Sequence, residues 1–239
     1  MKVDIIAFGA HPDDVELGCG GSISSAVSQG LKVGIVDLTK GELGTRGTPE
    51  IREKESNKAS KILGVSFRKN LGFKDGFFVN DKEHQLKVVE VLREYQPSII
   101  FCNAVKDRHI DHPKGSKLVS DSCFLSGLSK IKTNYKNSIN QLPWTPKQIY
   151  HYIQWFDIKP DLLIDISDFH ENKMKAIMVY KSQFYNPNSK EPNTPISSKN
   201  FIDSIKQRDQ NFGRISGVFA AEGFTVERPP VIQDFKGII

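Results

Sequence analysis

The sequence predicts an α/β fold: a doubly wound, mainly parallel sheet with helices on both faces. Three observations carry that prediction. Short apolar runs with little polar alternation punctuate the first half of the chain, as strands buried on both faces require. Each run is followed by a segment of helical length. Two dense sets of His and Asp lie just past two of the runs, at the strand ends where such sheets gather ligands.

Residues 3–9 read as the first strand. Gly18, Gly20 and Gly21 then open a helix that ends near Gly30, and residues 32–39 form the second strand. The loop Gly41-Glu42-Leu43-Gly44-Thr45-Arg46-Gly47 leads to Thr48-Pro49, an N-cap followed by proline at the first helical position. That helix runs through Ile51, Ala59 and Ile62 until Gly64 stops it. Residues 65–71 are the third strand. Residues 82–95 form a helix with Leu86, Val89 and Leu92 on one face, and after Pro97 residues 98–103 form the fourth strand. With right-handed crossovers the simplest strand order is 3-2-1-4, with the switch between strands one and four.

The second half is less regular. Residues 129–147, with Pro143 and Pro146, read as a long loop; 148–156 and 161–166 read as strands, and 169–184 as a helix. Residues 186–198 hold Pro187, Pro192 and Pro195 and read as a mobile loop before a helix over 202–212. No internal repeat or composition break divides the chain. A single Rossmann-like domain over 1–239 is expected.

Composition narrows the function classes. No apolar stretch approaches the roughly 18–20 residues that span a bilayer. The start carries Asp4 inside its apolar run and lacks a signal peptide's cleavage site, which predicts a cytoplasmic protein. Cys19, Cys102 and Cys123 are widely spaced and suit a reducing compartment. The net charge is +5, but the lysines are scattered without a basic run, so a solvated basic surface is expected rather than nucleic-acid binding. Such a surface favours an anionic small molecule.

The chemistry concentrates in Ala10-His11-Pro12-Asp13-Asp14-Val15-Glu16, after strand one, and in Arg108-His109-Ile110-Asp111-His112, after strand four. The predicted order sets these strands side by side, so the two clusters meet at the switch point. A catalytic zinc takes about three protein ligands and keeps an open position. His11 and His112 supply nitrogens, and Asp13 or Asp14 an oxygen. The other carboxylate is left to act on water acidified by the metal. Asp111 beside His109 can fix that imidazole's tautomer and raise its basicity, so that a cationic His109 stabilises an oxyanion or hands a proton to a leaving amine. Mixed N/O ligation favours Zn2+ and admits iron, cobalt or manganese.

Plainer readings stand beside these. Asp14 can cap the glycine-rich helix. Cys19 can be a ligand or, more simply, a small buried residue. His84, His151 and His170 read as surface or core residues. Gly18-Cys19-Gly20-Gly21 hints at nucleotide binding but does not give Gly-x-Gly-x-x-Gly. Arg46, Arg52 and Arg108 lie near the crevice and can fork onto a substrate carboxylate, although Arg52 can equally pair with Glu55 one turn on.

Both clusters resemble those of the LmbE-like, or PIG-L, family of zinc-dependent N-acetylglucosamine deacetylases. The segment 41–48 with Arg52 is similar to that family's second-strand loop. The stretches 160–166 and 221–224 look most like its bacillithiol-pathway branch, whose members deacetylate N-acetylglucosaminyl malate; a chitin oligomer or an inositol-linked glucosamine is the alternative substrate within the same chemistry. The resemblance implies His11, Asp14 and His112 as zinc ligands and Asp13 as general base. It implies His109 as the carbonyl-polarising group oriented by Asp111, and Arg52 as a substrate contact. It also implies a homo-oligomer, commonly a hexamer. Where the family usually has an acid directly after the two aspartates, this chain has Val15 and then Glu16.

Overall fold

The strand β1 (Ile5–Gly9) is buried along its whole length because both of its faces are covered. Ile5 and Ala7 face one apolar cluster, and Ile6 and Phe8 face the other. The computed structural model of the protein describes residues 1–135 and 139–232. Around β1 stand β2 (Val33–Thr39), β3 (Phe67–Phe73), β4 (Ile99–Cys102), β7 (Gln148–Tyr152), β8 (Leu162–Asp165) and β9 (Ala221–Val226), in the order β3-β2-β1-β4-β7-β9-β8. The expected 3-2-1-4 core is present, and all of its pairings are parallel. The sheet extends beyond it: β7 joins β4 in parallel, while β9 runs antiparallel between β7 and β8.

Helices α1 (Asp14–Ser28), α2 (Pro49–Leu63), α5 (His170–Met178) and α6 (Lys199–Ser216) cover one face. Helices α3 (Lys82–Tyr95) and α4 (Asp111–Ser126) cover the other. Thr48 caps α2 as predicted: its side chain accepts from the Ile51 amide, and Gly64 closes the helix in the left-handed region. No helix among the described residues is long and apolar enough to cross a membrane.

Several boundaries differ from the sequence expectations. The helix expected to open at Gly18 starts at Asp14 and kinks at Cys19, where φ is −146°. The glycines serve packing there. A side chain at Gly18 would run into the Tyr152 ring, and one at Gly21 would meet Ile166 at 2.8 Å. The strand expected over 148–156 stops at Tyr152, and the helix expected over 169–184 stops at Met178. The expected loop 129–147 contains a small hairpin of β5 (Asn134–Tyr135) and β6 (Ile139–Asn140); its residues 136–138 lie outside the described ones. Residues 186–198 form no helix or strand. They lie against the 41–47 loop, where Arg46 Nη2 donates to Ser189 at 2.7 Å and the Gly47 amide donates to Glu191 at 2.9 Å.

Candidate active site

The loop after β1 is held by both neighbouring strands. The Ala10 amide donates to Asn103 Oδ1 at 2.8 Å, past the end of β4, and the Thr39 amide at the end of β2 donates to the Ala10 carbonyl at 3.0 Å. At Asp13 the backbone takes φ 114° and ψ −25°, a region L-residues rarely adopt. Asp13 occupies the N-cap position, yet its side chain caps nothing. Asp14 does not cap the helix either: its Oδ2 accepts from the His11 amide at 2.9 Å. The helix-cap reading of the two aspartates therefore fails, and both carboxylates face the crevice.

Helix α4 starts at Asp111 and brings the second cluster to the same place. His112 Nε2 lies 3.1 Å from Asp14 Oδ1, and His11 Nδ1 lies 3.5 Å from Asp14 Oδ2. The His109 ring sits edge-on to His11 at 4.5 Å and stacks on His112 at 5.1 Å. The far nitrogen of each Asp14-facing imidazole meets a carboxylate. His11 Nε2 is 3.0 Å from Asp75 and 3.4 Å from Asp111, and His112 Nδ1 is 3.1 Å from Asp107. A carboxylate behind an imidazole fixes its tautomer and aims its other nitrogen, as second partners of metal-bound histidines do. Asp75 and Asp107 were not legible beforehand; the only signal for them is that each follows the end of a strand at the switch-point edge.

The electrostatics show what the cluster accepts. Burial would lower His112, but Asp14 and Asp107 raise it to about 9. Burial is outweighed in the same way at His11 by hydrogen bonds with Asp111, Asp14 and Asp75. Against its own burial, Asp14 is held well below the usual carboxylate range by His112 and His11. The site thus pulls positive charge onto two buried imidazoles. Imidazoles and carboxylates around such a crevice suit a divalent transition metal. Among the described residues, the donor atoms close enough together to share an ion are those of His11, His109 and His112 and those of His11, Asp75 and Asp111. His11 and His112 both also reach the Asp14 carboxylate.

The remaining groups divide. Asp13 Oδ2 accepts from Arg52 Nη2 at 2.8 Å, and burial, against Arg52, pushes its carboxyl up to about 7. Burial, with His11 and His112 nearby, lowers His109 to about 4, so the ring is neutral rather than cationic at pH 7. Its orienting contact also differs from the expected one. The Asp111 backbone amide donates to His109 Nδ1 at 3.3 Å, which leaves the ring proton on Nε2. The Asp111 carboxylate is directed elsewhere, to the Gly76 amide at 2.7 Å, to Lys114 and to His11.

Arg52 is buried, and its guanidinium also bonds the carbonyls of Pro12 and Gly41. It does not pair with Glu55, which accepts from Ser182 instead. Arg46 is committed to the 186–198 loop. Arg108 is exposed, with its guanidinium 4.4 Å above the Trp155 ring. Glu16 lies outside the chemistry: it is fully buried, 2.6 Å from Arg68 Nη1, and accepts from the Tyr180 hydroxyl at 2.7 Å. Cys19 belongs to the apolar core and is no ligand. The nucleotide reading of the glycines fails as well, because the Gly21 and Ser22 amides already donate to the Glu222 carboxylate, at 3.0 and 2.7 Å.

The cluster forms one end of a cavity of about 780 Å³. Leu17, Trp155, Phe201 and Phe212 give it an apolar wall, and Ser204, Gln207 and Asn211 line it from α6.

A family model described as PIG-L, GlcNAc-PI de-N-acetylase, matches residues 6–123, which hold both clusters. The fold is similar to that of a conserved protein from Thermus thermophilus, with a TM-score of 0.85 and 35% identity over 98% of this chain and 99% of that one. Diacetylchitobiose deacetylase of Thermococcus kodakarensis is 28% identical over 190 residues, covering 75% of this chain and 70% of that protein. A probable N-acetyl-alpha-D-glucosaminyl L-malate deacetylase 2 of Bacillus cereus is 24% identical over 207 residues, covering 77% and 84%. Shared fold along the whole chain and a family match over both clusters lead to one conclusion: this chain belongs to the PIG-L, or LmbE-like, deacetylase family.

Proposed function

We propose that the protein is a metal-dependent N-deacetylase that removes acetate from an N-acetylglucosamine-containing substrate. The observation that carries this reading is the convergence of His11, Asp14 and His112 on one crevice, with Asp13 and His109 beside them. A divalent ion held there, zinc in the first instance, supplies Lewis acidity that acidifies water and polarises a carbonyl. The protein's own groups supply the rest. Asp13 accepts a proton from the attacking water and returns it to the departing nitrogen as the C–N bond breaks. Arg52 anchors one Asp13 oxygen and so sets the direction of the other. His109, neutral and protonated at Nε2, donates to the oxygen that gains charge as water adds to the acyl carbon. The products are acetate and a free amine.

For the substrate, a small N-acetylglucosamine oligosaccharide of the diacetylchitobiose type stands first. Of the four arginines that line the cavity, Arg46, Arg52 and Arg208 are engaged within the protein. N-acetylglucosaminyl malate is the second reading, favoured by Arg108 held over Trp155 at the cavity. Amine release from the two compounds, measured side by side with and without a chelator, tests both readings. The expected result is release that stops with chelation and returns with Zn2+, faster on the disaccharide. Chelator-insensitive release would overturn the metal reading; faster release from the malate conjugate would reverse the substrate order.

A further inference from the structure

Asp14 is gripped on both oxygens by two neutral side chains that no sequence motif singles out. Asn103 Nδ2 donates to Asp14 Oδ2 at 3.1 Å, and Gln154 Nε2 donates to Asp14 Oδ1 at 3.1 Å. The two carboxamides also bond each other, with Asn103 Nδ2 donating to Gln154 Oε1 at 2.9 Å. All three residues are buried. The fold explains how they meet. Cys102 pairs with His151 in the parallel β4–β7 ladder, so Asn103 and Gln154 leave adjacent strands one and three residues later, on the side where α1 begins. Each is fixed from behind: Asn103 Oδ1 accepts the Ala10 amide, and the Gln154 carbonyl accepts from Arg208 at 2.6 Å.

We propose that Asn103 and Gln154 are positioning residues that fix the plane of the Asp14 carboxylate for metal binding. The proposal rests on the metal-site reading above. A lone carboxylate can rotate between one-oxygen and two-oxygen ligation, or turn away to solvent. Here donors from both sides hold the plane, with Oδ1 toward His112 and Oδ2 toward the His11 amide. Carboxamides do this without adding charge, so the pull of the crevice on a cation is undiminished. A lysine or arginine in either place would itself neutralise Asp14.

The test is metal affinity, with Gln154→Met and Asn103→Ala compared with wild type and with His112→Ala. Zn2+ Kd is read by competition with a chromophoric chelator, and the visible bands of the Co2+-loaded protein report ligand geometry. Gln154→Met, which keeps volume and removes the donor, is expected to weaken Zn2+ about 10–100-fold, the range known for partners of metal ligands. It should also shift the visible bands of the Co2+-loaded protein, a change in ligand geometry that a merely structural loss would not produce. Asn103→Ala also loses the Ala10 contact; if it fails to fold, Gln154→Met decides alone. A Gln154→Met protein with wild-type Kd and wild-type Co2+ bands would overturn the proposal. His112→Ala separates the two failures: if it too binds Zn2+ normally, the metal site itself is misplaced, and if only it loses Zn2+, the carboxamides alone are wrongly assigned.

Discussion

Two of the groups of buried charge along α1 differ in one respect: only the one at the helix start faces the cavity. At the helix start, Asp13, Asp14, His11 and His112 present oxygens and nitrogens to an open crevice. At the Cys19 kink, Lys173 sits fully buried between Asp209 at 2.7 Å and Glu222 at 2.8 Å, and Glu222 caps the restarted helix through the Gly21 and Ser22 amides. Both groups are costly to desolvate. In the rear group each charge is answered within the protein. In the front group carboxylates outnumber fixed cations and their donors converge on space. Buried charge therefore marks a reactive site only when its lone pairs are aimed at room for a ligand.

That contrast can be broken by mutation. Asp13→Asn should lower kcat by about 10²–10⁴-fold, the usual contribution of a general base, in amine-release assays on protein whose circular dichroism matches wild type. Full activity would mean that the front carboxylate is as inert as those at the rear. Lys173→Met should do the opposite, reducing stability by about 3–5 kcal/mol in denaturant unfolding because it strands two carboxylates. The protein that remains folded should keep its KM. Gly18→Ala lies between the two groups, where a Cβ would collide with Tyr152, whose hydroxyl donates to the Phe8 carbonyl at 2.8 Å. Overpacking there should cost about 1–3 kcal/mol in the same unfolding assay.

The smallest effect concerns His151, a closed group that reaches the surface. Its Nε2 lies 3.1 Å from the half-exposed Glu227; burial opposes its charging, but Cys102 and Glu227 raise it to about 10. The folded value lies above the unfolded one of about 6.5, so its stabilisation is complete below that pH and disappears as pH rises through about 10. Thermal melts of wild type and His151→Gln should therefore converge between neutral pH and pH 10. A gap that stays constant would show that His151 does not titrate there.

Much of this was legible beforehand because it is local. The apolar runs of β1, β2 and β4 and the Thr48-Pro49 start of α2 are written in consecutive residues, and strand order then joins His11 to His112. What was hidden depends on distant pairing. Strand β9 is antiparallel, wedged between β7 and β8, and Glu222 and Gly223 break up the apolar run that would have marked it as a strand. Asp75, Asp107, Asn103 and Gln154 stand alone in loops, and only the sheet gathers them. The arginines mislead for a related reason: proximity to the crevice says nothing of whether a guanidinium is free, and Arg46 and Arg52 are not.

The twisted backbone at Asp13 carries a last consequence. A φ of 114° in a residue other than glycine is a strain of order 1–3 kcal/mol, which the surrounding fold must hold in place. A chain shaped for durability alone would carry glycine there and relax. By keeping a carboxylate on that bend, the protein is built to be less stable than its own scaffold permits, and its reactivity and its fragility share one residue.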